Sequence, residues 1–183
     1  MNSLKRFVLC AFAALGLLLP PAAPSHAAPE STMDAIVKRG TLRVGFSSFV
    51  PWAMQDRNGK YIGFEIDVAQ RLADDLGVKL QPVPTSWDGI IPALLAGKFD
   101  MIIGSMAITP KRAMSVNFTV PYDTAYIDVT LNREKAGGIK SLADLNRPEV
   151  VVAVRNGTTA ALAANKLVPA APLRPFTAHP PPL

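Results

Sequence analysis

The sequence is poor in the residues that build metal sites and covalent catalysts. Its single cysteine, Cys10, sits in an apolar N-terminal run, and its two histidines are His26 and His179. A zinc site has almost nothing to be made from, and a Ser-His-Asp triad has no credible histidine. No metal, cofactor or catalytic residue is expected on those grounds. Positive charge is mild, at net +5, and it is dispersed without a basic run, so nucleic acid is not an expected partner. After the N-terminal run no apolar stretch is long enough to span a bilayer. No cysteine follows Cys10 either, so no disulfide is available.

What is present begins with a targeting pattern. Lys5 and Arg6 precede an uncharged apolar run from Phe7 to Leu19, which Pro20 and Pro21 break. Ser25-His26-Ala27 puts small residues where a signal peptidase reads. Residues 1–27 are therefore expected to be a secretory signal peptide and the mature chain periplasmic. Losing Lys5 and Arg6 takes the net charge from +5 to +3.

Strand and helix then alternate. Ser31 to Arg39 reads as a capped helix stopped by Gly40, and Thr41 to Phe46 as a strand followed by the aromatic loop Phe49-Val50-Pro51-Trp52. Ile66, Ala69, Leu72, Ala73 and Leu76 recur at helical spacing, and Glu65 and Asp67 sit where the helix dipole favours negative charge. Val78 to Val83 reads as a strand, Trp87 to Ala96 as a helix, and Met101 to Ile103 as a buried strand. The pattern predicts an α/β layer with a largely parallel sheet, whose ligands bind beyond the carboxyl ends of the strands. Further expectations are a strand at Ala125 to Asn132, a buried strand at Val150 to Val154 and a helix opened by Asn156-Gly157-Thr158-Thr159. From Val168 prolines accumulate, and residues 169–183 read as a disordered or polyproline-like tail.

The stretch Gly104-Ser105-Met106-Ala107-Ile108-Thr109-Pro110-Lys111-Arg112 combines a strand end, a Thr cap, Pro at the first helical position and an arginine in the first turn. Those groups suit an anion such as a carboxylate. Phe49 and Trp87 also follow strand ends, so they should lie on the same edge. Asn156 to Thr159 repeats the strand-end, helix-start arrangement.

Gly63-Phe64-Glu65-Ile66-Asp67-Val68, Trp87-Asp88-Gly89-Ile90-Ile91-Pro92-Ala93-Leu94, Gly97-Lys98-Phe99-Asp100, Ile108-Thr109-Pro110-Lys111-Arg112, Pro121-Tyr122 and Asn156-Gly157-Thr158-Thr159 occur in that order. Together they resemble the family 3 extracellular solute-binding proteins, the polar amino-acid receptors of ABC importers. The resemblance spans about residues 33 to 168. It implies the type II periplasmic-binding-protein fold, a two-lobed α/β clamp. Lobe 1 would be 33–125, a hinge strand 126–132, and an incomplete lobe 2 133–168. It implies a monomer that binds an amino acid and docks on ABC permease subunits in the inner membrane.

It also implies site roles. Arg112, helped by Ser105, would grip the α-carboxylate, and the Gly104 carbonyl would accept from the α-ammonium. Phe49 and Trp87 would wall the side chain, and Thr158 and Thr159 would meet the carboxylate from lobe 2. The alternative for Phe49 and Trp87 is a place in the core, and for Thr159 a role only as a helix cap. Glu65 and Asp67 read as structural, and Arg155 as a solvated loop residue close enough to reach the cleft. Ala107 stands where many members carry a hydroxyl, a hydrogen bond to charge worth roughly 1.5–3 kcal/mol. The Pro-rich ending is unlike the family, whose members complete lobe 2, so the chain reads as a truncated receptor. Alternatives are a non-functional fragment that aggregates, and a cyclohexadienyl or arogenate dehydratase-like enzyme on the same scaffold.

Overall fold

In the computed structural model of the protein, residues 30–134 and 136–177 are described. The expected signal peptide, both histidines and Cys10 lie outside them. Helix α1 (Thr32–Arg39) starts on Ser31, whose hydroxyl accepts from the Asp34 N–H, and stops at Gly40 in the left-handed region. Strand β1 (Thr41–Phe46) follows at once. A small antiparallel pair, β2 (Met54–Gln55) and β3 (Tyr61–Ile62), precedes α2 (Phe64–Asp75). Then come β4 (Lys79–Pro84), a 3-10 turn at Trp87–Gly89, α3 (Ile90–Leu95), β5 (Met101–Ile102) and the four-residue α4 (Pro110–Ala113).

The first sheet runs β4-β1-β5, with β1 parallel to both neighbours. Its carboxyl ends therefore open on one edge, and the loops after β1, β4 and β5 leave from there. Leu42 and Val44 of β1 alternate into a core with Ile36 of α1 and Ala69 and Ala73 of α2, joined by Ile103. Ala69 and Ala73 belong to the helical stripe read from the sequence, and Leu72 and Leu76 pack partly buried beside them. Gly45 points the other way, where a Cβ would lie 2.4 Å from the Phe99 ring. Phe99 packs with Ile90 and Ala93 of α3, so the sheet carries helices on both faces. Phe46 is fully buried with Ala53 and Ile66, its ring edge-on to Tyr61 at 4.9 Å. Burial of such a side chain stabilises by roughly 1.5–3 kcal/mol.

Gly63 begins α2 at φ 115°, and a Cβ there would sit 2.4 Å from the Trp52 carbonyl oxygen. Only glycine meets both conditions. Below the sheet, Asp100 joins β5 to its neighbours. It accepts from the Arg43 backbone N–H at 2.8 Å and pairs with the Arg43 and Arg39 guanidiniums.

A second parallel pair forms from β6 (Val152–Arg155) and β7 (Leu173–Phe176), connected by α5 (Thr159–Leu167). Leu145, Val168 and Ala171 make its core. Strand β7 corrects the expectation of a structureless tail from residue 169; only residues 178–183 of that segment lie outside the described part. The reason is register. The Val152 N–H donates to the Pro172 carbonyl and the Asn156 N–H to the Phe176 carbonyl. Ladder bonds thus fall on residues 172, 174 and 176, and Pro175 turns its missing N–H outward, where an edge strand tolerates it.

The expected strand at Ala125 to Asn132 is not formed. Every residue from 119 to 134 is exposed, with Tyr126 at 87 %. β-branched and aromatic residues give strand propensity, but a strand needs a ladder, and no described segment runs alongside. The described residues from Ser31 onward cluster as one unit. No described helix is long and apolar enough to cross a membrane, and no described group of His, Cys, Asp and Glu could hold a metal.

Candidate functional site

The loops after β4 and β5 meet the loop after β6 in a small concavity. It is lined by Trp87, Asp88, Ile91, Met106, Arg112 and Gly157. One oxygen on its wall takes two donors. The Trp87 indole N–H and an Arg112 Nη2–H both donate to the Gly157 carbonyl, each at 3.1 Å. Gly157 supplies this oxygen from a left-handed turn at φ 71°, between β6 and the Thr158 cap of α5. Two donors from the first sheet thus converge on a neutral acceptor from the second.

Arg112 is aimed by its own loop. Its Nη1 donates to the Ala107 carbonyl at 2.7 Å, and its backbone N–H donates to the Thr109 hydroxyl at 3.3 Å. The position that lacks a hydroxyl therefore contributes through its main chain. The cap and Pro110 are as read from the sequence. The helix start itself is not the anion site: α4 has four residues, and the Thr109 hydroxyl takes the Arg112 N–H. The guanidinium is the donor group that remains. Burial pulls its pKa below the ordinary arginine value.

Ser105 does not help Arg112 as expected. At φ 52° it turns its hydroxyl away to donate to Glu65. A left-handed non-glycine residue costs roughly 1–2 kcal/mol, which this bond to a carboxylate offsets. Glu65 is 2 % exposed and also accepts from the Tyr122 hydroxyl at 2.6 Å. Partial burial and this hydrogen bond push the Tyr122 phenol well above its usual pKa. Glu65 is structural as the sequence reading had it, but it acts as a buried acceptor and not as a solvated charge at a helix start. Asp67 is exposed. With its proton given to Glu65, the Ser105 oxygen can only accept from a ligand.

Arg155, expected as a solvated loop residue, is half-buried and hydrogen-bonded. It ends β6 and reaches over to the end of β1, donating from Nη1 to the Ser48 carbonyl at 3.3 Å and from Nη2 to the Ser47 hydroxyl. Its Nε is buried without a partner. Its guanidinium carbon lies 5.7 Å from the Trp87 ring centroid, and that of Arg112 lies 5.5 Å away. Burial lowers the Arg155 pKa, opposed by the charge of Asp88.

Of the expected site residues, Trp87 and Arg112 come together. Thr158 serves as the α5 cap, accepting from the Ala161 N–H at 3.2 Å and donating to the Arg155 carbonyl at 2.7 Å. Thr159 opens the helix beside it. Phe49 bridges to Ala53 in its own loop, and Gly104 follows β5 beside Phe46; neither lines the concavity. Asp88, Ile91, Met106 and Gly157 were not singled out. The carboxyl-end rule that gave Phe49 and Trp87 also covers Arg155, the last residue of its strand.

Comparison with known proteins gives the family and the fold. A profile of the bacterial extracellular solute-binding proteins, family 3, matches residues 42–168. The chain is similar to the L-cystine-binding protein of Escherichia coli K12, 34 % identical over 126 residues, covering 68 % of this chain and 47 % of that protein. It is also similar to the cyclohexadienyl dehydratase of Pseudomonas aeruginosa, 35 % identical over 156 residues, covering 84 % of this chain and 57 % of the enzyme. Among solved structures it resembles an ancestral amino-acid-binding protein described as a precursor of cyclohexadienyl dehydratase. That match has 51 % identity and a TM-score of 0.77, over 80 % of this chain and 65 % of the other. The chain spans about half the length of the curated relatives it matches. Its fold is the α/β, parallel-sheet fold of the type II periplasmic binding proteins.

Proposed function

Because the chain belongs to the bacterial extracellular solute-binding proteins of family 3, we propose that it is the amino-acid-binding component of an ABC importer, held in the periplasm and presented to membrane permease subunits. The observation that carries this is the convergence of Arg112 and Trp87 on the Gly157 carbonyl. Donors that meet on a neutral main-chain oxygen bind a carboxylate oxygen more strongly, since charge-assisted hydrogen bonds are about twice as strong as neutral ones. A ligand's α-carboxylate takes the place of that carbonyl. The Gly104 carbonyl and the Ser105 oxygen accept from the α-ammonium. Trp87, joined on ligand binding by Phe49 from the loop after β1, walls the side chain, and Thr158 and Thr159 present the start of α5. Relatives named for cystine and for amino acids generally support this class of ligand.

The test is a thermal-shift and calorimetric screen of the twenty amino acids at millimolar concentration. Binding raises the melting temperature by mass action. Arg112→Lys keeps the charge but not the paired N–H geometry, and should weaken binding by about tenfold or more. If no amino acid shifts the melt, the reading fails. The dehydratase relative motivates a second reading, in which the cleft performs an elimination. Turnover of prephenate or arogenate above background would replace the receptor reading with that one.

A further inference from the structure

We propose that Arg155 forms a second anion seat beside Arg112, so that the ligand selected is an α-amino acid with an acidic side chain. This rests on the reading of the cleft as an amino-acid site and names the substrate class for it. The α-carboxylate faces Arg112 and the side-chain carboxylate faces Arg155.

Two guanidiniums are held against one ring. Both carbons lie within 6 Å of the Trp87 centroid, at 5.5 and 5.7 Å, which bounds their separation at the sum of those distances. Among the described residues neither arginine forms an ion pair, unlike Arg39, Arg43 and Arg71. Arg112 and Arg155 donate only to neutral oxygens, and the Arg155 Nε is buried with nothing to donate to. Two unneutralised cations in a partly desolvated place repel each other and attract an anion.

Arg155 is not among the residues that line the concavity but shares the Trp87 ring with Arg112, which does line it, and the other charges nearby do not cancel the two. Asp88, from the turn after β4, lines it and is close enough to act on Arg155 through space, but bonds to neither arginine. Glu65, from α2, is occupied by Ser105 and Tyr122. That leaves two cations against one available carboxylate. A neutral zwitterion preserves the imbalance, and an amino acid with one extra carboxylate removes it. Asp88 then has the α-ammonium as its counter-charge. A basic side chain meets the opposite situation. The cation seat over Trp87 is already filled by Arg155, and a second positive group there is repelled.

Arg155 also spans the two sheets, from the end of β6 to Ser47 and Ser48 after β1. A ligand with one carboxylate at Arg112 and the other at Arg155 would therefore engage both sheets at once.

The deciding comparison is L-glutamate against L-glutamine, which share shape and differ in charge, with L-lysine as the opposite case. Isothermal calorimetry on the whole chain at fixed ionic strength should give glutamate affinity about tenfold or more above glutamine, with lysine weakest. Arg155→Gln should collapse the glutamate-to-glutamine ratio towards one, and Arg155→Lys should recover part of it. Circular dichroism and melting curves check that each variant is folded. Should Arg155→Gln not fold, the ratio in the unsubstituted chain and in Arg155→Lys decides. Glutamine or lysine binding as tightly as glutamate overturns the proposal while leaving the receptor reading intact. An unchanged ratio in Arg155→Gln does the same. Absence of binding by every amino acid overturns both.

Discussion

Tyr122 donates its hydroxyl to the buried carboxylate of Glu65 at 2.6 Å, across 57 residues of sequence. The pair ties the start of the exposed 119–134 segment to α2, immediately behind Ser105. Tyr122→Phe removes the donor and should cost about 1 kcal/mol, less than a fully buried bond to charge because the ring is half exposed. The pH signature has a definite sign. Because the folded-state pKa is raised, the stabilisation is present below the ordinary tyrosine pKa of about 10 and is lost as pH rises through the folded value. Melting curves at neutral and strongly alkaline pH should show the gap between the two proteins narrowing. A constant gap would mean the phenol is not held by Glu65.

Asp100 gives the opposite pH dependence. Burial alone would raise its pKa. The hydrogen bonds from Arg43 and the charges of Arg43 and Arg39 outweigh that and leave it below the ordinary carboxylate value. Its stabilisation is present above about pH 3.9 and disappears as pH falls through the lowered value. Asp100→Asn should cost about 1.5–3 kcal/mol near neutrality by urea denaturation. The two proteins should converge in strong acid.

Thr158→Ala should remove about 1 kcal/mol through loss of the α5 cap, and Thr158→Ser should restore most of it. The bond from Thr158 to the Arg155 carbonyl adds a second consequence. Amide hydrogen exchange at residues 155–161 should accelerate in the alanine variant, and protection equal to that of the parent would show that the cap does not set the loop.

Trp87→Phe keeps an aromatic wall and deletes the indole N–H that meets the Gly157 carbonyl. Stability should fall by about 1 kcal/mol, as for one neutral hydrogen bond. Ligand affinity should fall less than in Arg112→Lys, since the charged donor remains. A larger loss from Trp87→Phe in calorimetry would reverse that ranking of the two donors.

Gly63→Ala combines a φ of 115° with a clash against the Trp52 carbonyl. Two backbone faults at one position should cost more than about 2 kcal/mol and lower the denaturation midpoint accordingly. A near-neutral result would mean that the 51–54 loop moves aside.

Much of this architecture is legible in residue order, and the reasons are local. The α2 stripe of Ile66, Ala69, Leu72 and Ala73, the Ser31 and Thr109 caps, Gly40 as a stop, and Thr41 to Phe46 as a strand all follow from short-range spacing and backbone preference. The parallel sheet and the edge at its carboxyl ends follow from alternation of those elements, which is how Trp87 and Arg112 could be singled out together. What was misread depended on partners far away in sequence. Strand β7 exists because β6 lies beside it with Pro175 facing outward. Residues 125–132 carry strand-forming side chains but have no described ladder. Arg155 is solvated or half-buried and bonded according to whether Ser47 and Ser48, more than a hundred residues earlier, lie within reach. Ser105 changes from a donor to an acceptor because Glu65 is behind it. In the stretch from Gly104 to Arg112, then, the sequence by itself determined that an arginine follows a capped turn at a strand end. The tertiary structure decided which oxygen that arginine meets and which second cation stands beside it, because hydrogen bonds and charge balance depend on distances that chain order does not contain.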